Sequence, residues 1–243
     1  FEKWGRWKVE ISGDEIPLRE TAIVIANHRW YLDWLMVFFV SFRKGRLGCM
    51  KFFAKKSIKW IPGFGWGIAL LGTIFVSRNW MNDADSIMRT FQQLKANKLP
   101  FWLVNHLEGT RFAPEKLKQS QDFAKQKNLP VLNHVLLPRM KGFIATVNAL
   151  REVSPVVYDF TIVYEDGIKY PTVASVILRR GGTVHIHVRR YLVDSIPKGE
   201  QELSDWVLQR WIEKDQIIDG FLKTGKFPNV RDEPCVYRPM LLV

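Results

Sequence analysis

The chain has 243 residues, of which 36 are Lys or Arg and 24 are Asp or Glu, so its formal net charge is +12. With 47% hydrophobic and 25% charged residues, the composition excludes an intrinsically disordered chain and supports a large core without disulfides or metal. The basic excess, with 10 Trp and 16 Phe, indicates an anionic partner with an apolar or stackable part, such as a phospholipid, coenzyme A or single-stranded nucleic acid.

Short runs of β-branched and aromatic residues alternate along the chain with segments of helical spacing. The predicted strands are residues 21–26, 73–77, 101–105, 134–137, 156–164 and 183–192, and the predicted helices are residues 33–42, 83–96, 114–126, 141–152 and 200–222. This alternation predicts an α/β fold, a single domain with a mixed, largely parallel sheet flanked by helices. We expect one domain over residues 1–243, with its motif-bearing core at about 21–192.

The amphipathic segment 200–222 is followed by Gly225 and Pro228, which typically stop a helix. It is predicted to cover the sheet, and the alternative is a helix that binds a membrane or a partner. The uncharged stretch 60–76 is too short and too rich in Gly to be a clean membrane span. We expect a membrane anchor upstream of Phe1, missing from this chain.

A histidine and an aspartate follow the first predicted strand, where ligands bind in open α/β sheets. On one continuous helix, the five residues from His28 to Asp33 would leave their side chains about 140° apart. They can pair only if His28 lies in the turn and Asp33 in the first turn of the next helix. A carboxylate bonded to one imidazole nitrogen leaves the other as a base. A polar turn capped by Asp33 is the alternative.

Charged residues also follow the next two predicted strands. The tetrad Glu108-Gly109-Thr110-Arg111 suits an anion site, because Arg binds phosphate bidentately and Gly admits close backbone approach. A turn with an ion pair explains this tetrad equally well. Arg78 alone is explained as a solvated charge.

Taken in order, four motifs resemble those of the glycerolipid acyltransferases, the 1-acylglycerol-3-phosphate acyltransferase superfamily. They are NHxxxxD at residues 27–33, GTIFVSR at 72–78, EGTR at 108–111 and LLPR at 136–139. The strings LDWL at 32–35 and PRMKGF at 138–143 are similar to the eukaryotic branch of lysophosphatidate and lysocardiolipin-type acyltransferases. The resemblance covers about residues 21 to 228. One departure is His106-Leu107, where many members have Phe-Pro.

The resemblance implies that a lysophospholipid hydroxyl attacks the thioester of acyl-CoA, which is a co-substrate, with no cofactor and no metal. His28 is the implied general base and Asp33 its orienting partner, because an alcohol needs a positioned base near neutral pH. The implied substrate-binding residues are Arg78, Glu108, Gly109, Thr110, Arg111 and Pro138. The two arginines would hold the acceptor's phosphate. Glu108 would position Arg111 or a glycerol hydroxyl, and Pro138 would help to form the acyl-acceptor or acyl-CoA pocket.

A basic segment lies between the first two motifs. Lys51, Lys55 and Lys59 are spaced four apart and Trp60 follows them, which predicts contact with a membrane surface or with CoA phosphates. The alternative is a solvated helix face. With the resemblance, this segment predicts a membrane-associated protein of the endoplasmic reticulum.

Two pairs of residues are assigned no chemistry. His185 and His187 share one face of a strand without an evident third metal ligand, so structural roles are expected. Cys49 and Cys235 match neither a redox motif nor a nucleophile pattern.

The expected reaction converts lysophosphatidate to phosphatidate. The alternatives are another lysophospholipid acceptor, either lysophosphatidylinositol or lysocardiolipin, or a non-catalytic protein that binds lipid or nucleic acid. The intact His28/Asp33 pair argues against a non-catalytic lipid-binding protein. The sequence contains no recognised nucleic-acid motif, so no nucleic-acid partner is expected.

Overall fold

The structure, a computed structural model, describes residues 7–70, 72–77, 80–165, 178 and 181–231. Its strands are β1 (Trp7–Gly13), β2 (Ala22–Ala26), β3 (Met50–Lys55), β4 (Ile74–Val76), β5 (Trp102–His106), β6 (Val156–Tyr164), β7 (Gly182–Leu192) and β8 (Val230–Arg231). They form one eight-stranded sheet in the order β4-β3-β5-β2-β6-β7-β1-β8. The first five strands in this order are mutually parallel, and β7 runs antiparallel to β6. The predicted mixed, largely parallel α/β sheet is confirmed.

Helices cover both faces of this sheet. They are α1 (Asp33–Arg43), α2 (Phe64–Leu70), α3 (Trp80–Ala96), α4 (Pro114–Gln126), α5 (Met140–Leu150) and α6 (Glu200–Thr224), with 3₁₀ turns at Leu47–Cys49, Lys56–Trp60 and Val193–Ser195. In the described part of the chain, none of these helices is long and apolar enough to cross a bilayer.

Alternating side chains of the buried strands divide the core between the two faces. Ile23 and Ile25 of β2 pack with apolar residues of α3, α5 and α6 on one face, while Val24 packs with α1 and with β1 on the other. α6 buries Trp211 and Phe221 in the first cluster and ends at Gly225, whose φ of +71° provides a left-handed C-cap. α6 is therefore the predicted helix that covers the sheet.

The predicted strand at residues 134–137 is wrong. This segment belongs to an irregular loop, residues 131–139, in which side chains accept the backbone N–H groups. Asp215 accepts the N–H groups of residues 133–135, and Glu108 and Ser120 accept those of the next two residues. With its donors satisfied in this way, the segment makes no strand pairing.

Three strands were not predicted, namely β1, β3 and the two-residue β8. β1 alternates buried Trp7, Val9 and Ile11 with more exposed polar residues, a period of two that identifies a half-buried strand. β3 lies in the basic segment whose lysines are spaced four apart. Lys51 and Lys55 also share one face of a strand, so the spacing did not distinguish the two structures.

Candidate functional site

A cavity of about 470 Å³ lies at the carboxyl ends of the parallel strands. Residues at the ends of β3, β4 and β5 line it, together with His28 just after β2 and the first turn of α5. The predicted edge of the sheet therefore holds the cavity, as expected for an open α/β fold.

His28 and Asp33 form the predicted pair across the turn between β2 and α1. The Nδ1 atom of His28 lies 2.9 Å from Oδ2 of Asp33, the first residue of α1. Because a carboxylate only accepts hydrogen bonds, Nδ1 carries the proton and Nε2 keeps its lone pair in the neutral ring. The ring lines the cavity, and Nε2 has no hydrogen-bond partner within the described residues. A base oriented in this way can accept a proton from a bound hydroxyl.

Asp33 is fully buried, and three donors hold its carboxylate. Besides His28, Oδ2 accepts the backbone N–H of Trp30 at 2.8 Å, and Oδ1 accepts the hydroxyl of Tyr164 at 2.6 Å. These bonds compensate the cost of burying the charge and fix the carboxylate against the imidazole. Tyr164 was missed in the sequence. It ends β6, which neighbours β2, so the search for polar strand ends would have found it had it been extended to this strand.

A second imidazole lies flat against His28. The rings of His28 and His106 stack with centroids 4.5 Å apart, and Nδ1 of His106 lies 3.0 Å from the Asn27 carbonyl oxygen. Burial, together with the nearby His28 charge, lowers the pKa of His106 to about 4. His106 therefore stays neutral near physiological pH and restrains the His28 ring through contact.

Among the described residues Glu108 makes no hydrogen bond or ion pair with Arg111, and its other predicted role, positioning a glycerol hydroxyl, stays a prediction. Its Oε1 accepts the backbone N–H of His28 at 3.0 Å, and its Oε2 accepts that of Leu136 at 3.3 Å. Burial raises the pKa of Glu108 to about 8, against the lowering effect of these two bonds and of the Lys214 charge. Glu108 thus joins the turn that carries His28 to the loop before α5.

Gly109 forms a turn that brings an arginine to the cavity. Its φ is +66°, and a Cβ at this position would lie 2.8 Å from Cδ of Arg139. Only glycine fits this conformation and this contact without strain. Arg139, the last residue of the fourth motif, lines the cavity, and the sequence predicted no role for it.

The other predicted substrate-binding residues lie elsewhere. Thr110 is half-buried and Arg111 is exposed, and neither is on the lining of the 470 Å³ cavity. Pro138 lines a second cavity, of about 300 Å³, between α4 and α6. Arg78 lies outside the described residues.

The three lysines of the basic segment lie in different surroundings. The amine of Lys51 packs over Gly72, where a Cβ would lie 2.6 Å from Nζ, and Lys55 lines the cavity. Lys59 is exposed beside Trp60, which is 78% exposed. The segment changes from strand to 3₁₀ turn at Lys56, so the alternative of one helix face for Lys51, Lys55 and Lys59 is wrong, while their contact with a membrane or with CoA stays a prediction.

The two histidines of β7 contact polar side chains of β1, as expected for structural roles. His185 pairs with Glu10 at 3.1 Å, and Nδ1 of His187 lies 3.0 Å from the Ser12 hydroxyl oxygen. Within the described residues no three His, Cys, Asp or Glu side chains form a metal-binding group. Cys49 is a free thiol, and Cys235 lies outside the described residues.

Comparison with known proteins places this architecture in a family. The sequence model described as "Acyltransferase" matches residues 8–165, and that described as "Acyltransferase C-terminus" matches residues 175–242. The chain belongs to the acyltransferase family. It is 32% identical over 95% of its length to 1-acyl-sn-glycerol-3-phosphate acyltransferase 2 of Brassica napus. It is 36% identical over 94% of its length to the probable 1-acyl-sn-glycerol-3-phosphate acyltransferase 5 of Arabidopsis thaliana.

The chain spans only part of these relatives, 60% and 61% of their respective lengths. Its fold is similar to that of the 1-acyl-sn-glycerophosphate acyltransferase PlsC of Thermotoga maritima. The TM-score is 0.51 with 20% identity, over 88% of this chain and 77% of that one. The acyltransferase fold is thus shown for this chain.

Proposed function

We propose that this acyltransferase domain transfers a fatty acyl group from acyl-CoA to the free hydroxyl of a lysophospholipid, with lysophosphatidate as the first acceptor to test. The observation that carries the proposal is the His28–Asp33 pair, with Nε2 of His28 at the cavity and without a hydrogen-bond partner among the residues that the structure describes. The names of the related 1-acyl-sn-glycerol-3-phosphate acyltransferases support lysophosphatidate as the acceptor.

In this reaction Nε2 of His28 takes the proton of the acceptor hydroxyl as its oxygen attacks the thioester carbonyl carbon. Asp33 stabilises the imidazolium that forms, through the hydrogen bond to Nδ1. The carbon–sulfur bond then breaks, and the imidazolium returns the proton to the departing thiolate, giving free CoA and an ester. No covalent acyl-enzyme is needed, because the base activates the acceptor directly.

We also propose that the domain works at a membrane surface. Large apolar side chains are exposed at the end of the 3₁₀ turn that follows β3, directly after it and in α2; they are Trp60, Ile61, Trp66 and Leu70. Exposed Lys56 and Lys59 flank them. Interfacial tryptophans beside lysines are typical of proteins that bind anionic bilayers. We call residues 56–70 the apolar flap, and it begins directly after the cavity-lining Lys55.

The proposed function is tested by thiol release from acyl-CoA. Wild-type protein is expected to release CoA only when a lysophospholipid is added, and a panel of lysophosphatidate, lysophosphatidylinositol and lysocardiolipin identifies the acceptor. His28→Ala is expected to lower kcat at least ~100-fold with an unchanged melting temperature, because the general base is lost. His134→Ala, a partly exposed histidine on the adjoining loop, is the matched control. Retained turnover in His28→Ala would contradict the proposed mechanism.

A further inference from the structure

Three cationic side chains surround the cavity that holds His28. Lys55 ends β3, Arg139 precedes α5, and Lys141 lies in the first turn of that helix; all three line the cavity. Their side chains have no hydrogen bond or ion pair within the described part of the chain. Three unneutralised cations facing one space repel each other unless an anion is bound between them.

The N-terminus of α5 faces the same space. Met140, Lys141 and Gly142, which open this 11-residue helix, line the cavity, and no side chain caps the helix. The first N–H groups of a helix have no intrahelical acceptor and carry a partial positive charge, so they favour an anionic ligand. The cavity-lining backbone therefore has the same electrostatic preference as the three side chains.

One acidic group, Asp83, lies on the described lining, and its Oδ1 is 3.8 Å from the amine of Lys56. Asp83 is buried, and its carboxylate accepts the backbone N–H of Ser77 at 2.8 Å and the Ser77 hydroxyl at 2.9 Å. His106 stays neutral because burial lowers its pKa to about 4. The lining therefore carries three cations, Lys55, Arg139 and Lys141, against the single carboxylate of Asp83, and His28 adds a further positive charge when it takes a proton during turnover.

The turn at Gly109 leaves room for the Arg139 side chain to reach the cavity. The Arg139 side chain crosses directly above Gly109, where a Cβ would lie 2.9 Å from Nε. The Arg139 backbone is also fixed, because its N–H donates to the Leu107 carbonyl oxygen at 2.7 Å. A planar guanidinium held in this way suits bidentate binding of a phosphate.

We propose that Lys55, Arg139, Lys141 and the N-terminus of α5 form a phosphate-binding site for a substrate of the proposed transfer reaction. The inference rests on the proposed function for its substrates, and it assigns the phosphate to these groups. Arg111 lies off the cavity lining. The phosphate belongs either to the lysophospholipid headgroup or to coenzyme A, and the two sources share the same chemistry.

The kinetic test compares Lys55→Gln, Arg139→Gln and Lys141→Gln with Lys125→Gln, an exposed lysine of α4 away from the cavity. Each cavity variant is expected to raise one KM about 10- to 100-fold, the effect of losing one charge-assisted hydrogen bond, while kcat changes little. A rise confined to lysophosphatidate assigns the site to the acceptor, and a rise confined to acyl-CoA assigns it to the donor. Arg139→Lys is expected to recover part of the loss because it keeps the charge.

A binding experiment separates this inference from the proposed function. Calorimetric titration with glycerol 3-phosphate and with CoA needs no turnover. If the wild-type protein is inactive on every acceptor, the proposed function fails. Loss of binding of either probe in Arg139→Gln would still support the site. Unchanged KM values together with unchanged probe affinities in all three variants, each with a wild-type melting temperature, would overturn the inference.

Discussion

Glu108 shows at the scale of one residue how a buried carboxylate becomes a structural link. Its two oxygens accept backbone N–H groups from the turn of His28 and from the loop before α5. The sequence suggested an ion pair with Arg111, because most such tetrads are turns with an ion pair. The sequence could not show that the Glu108 side chain turns inward, because the two N–H groups that donate to it belong to segments distant along the chain. In contrast, the His28–Asp33 pair could be predicted because both partners lie within one turn.

Glu108 predicts a specific pH dependence of stability. Burial raises its pKa from 4.5 to about 8, so between these values the folded state holds a proton that the unfolded state has released. The free energy of unfolding should therefore fall as the pH rises from about 5 to about 8. The free energy of unfolding, measured by urea titration at several pH values in this range, checks this prediction.

Glu108→Gln is the matched variant. Its amide leaves one backbone N–H without an acceptor, so at about pH 5 it should be less stable than the wild-type protein by ~1–3 kcal/mol. It cannot titrate, however, so its decline between these pH values should be smaller than that of the wild-type protein. An equal decline in both proteins would show that other groups, not Glu108, cause it.

At the scale of elements, α6 holds the loop at residues 131–139 in place. Two consecutive residues of this helix act on different segments. Lys214 is buried and bonds Asp159 of β6 and the Phe160 carbonyl oxygen, while Asp215 accepts the N–H groups of the loop. The loop then donates the Leu136 N–H to Glu108. Hydrogen bonds therefore connect the helix, through this loop, to the turn that carries His28.

The loop at residues 131–139 also shows which elements could be predicted from the sequence and which could not. Most helices and strands follow from local periodicity, and β6 was predicted with its observed bounds. The 131–139 loop resembles a strand because its apolar residues are buried like those of a strand, yet its backbone partner, Asp215, lies 80 or more residues away. Only the folded arrangement shows that side chains replace a neighbouring strand.

Asp215→Ala is expected to destabilise the protein by about 2–4 kcal/mol, because buried N–H groups lose their acceptor. Asp219→Ala, which removes an exposed aspartate of the same helix, should destabilise the protein much less than Asp215→Ala does. Urea unfolding measures both. Hydrogen exchange should also show the amides of residues 133–135 losing protection in Asp215→Ala alone. Equal losses of stability and unchanged protection in the two variants would refute the role given to Asp215.

At the scale of the whole molecule, the apolar flap and the cavity lie side by side. Trp66 is 61% exposed and Leu70 is 90% exposed, although burying such side chains is favourable by ~1.5–3 kcal/mol each. A bilayer that covers the flap would therefore lie next to the cavity, so that a lipid acceptor reaches His28 without leaving the surface.

The double variant Trp60→Ser/Trp66→Ser is expected to bind vesicles of phosphatidylcholine and phosphatidylserine at least about tenfold more weakly than wild-type protein. Vesicle sedimentation measures this. The control is Leu18→Ser, a similarly exposed apolar residue outside the flap. If the flap variant and the control bind as the wild-type protein does, another surface contacts the membrane.

The position of β1 in the sheet has a consequence for synthesis of the chain. β1 pairs with β7 and β8, and Ser12 and His187, 175 residues apart, are hydrogen-bonded. During synthesis on the ribosome, the backbone of β1 therefore has no neighbouring strand to pair with until the last third of the chain emerges. A nascent chain stopped near residue 165 would present an apolar, unpaired strand, which is a site where aggregation begins and where chaperones bind.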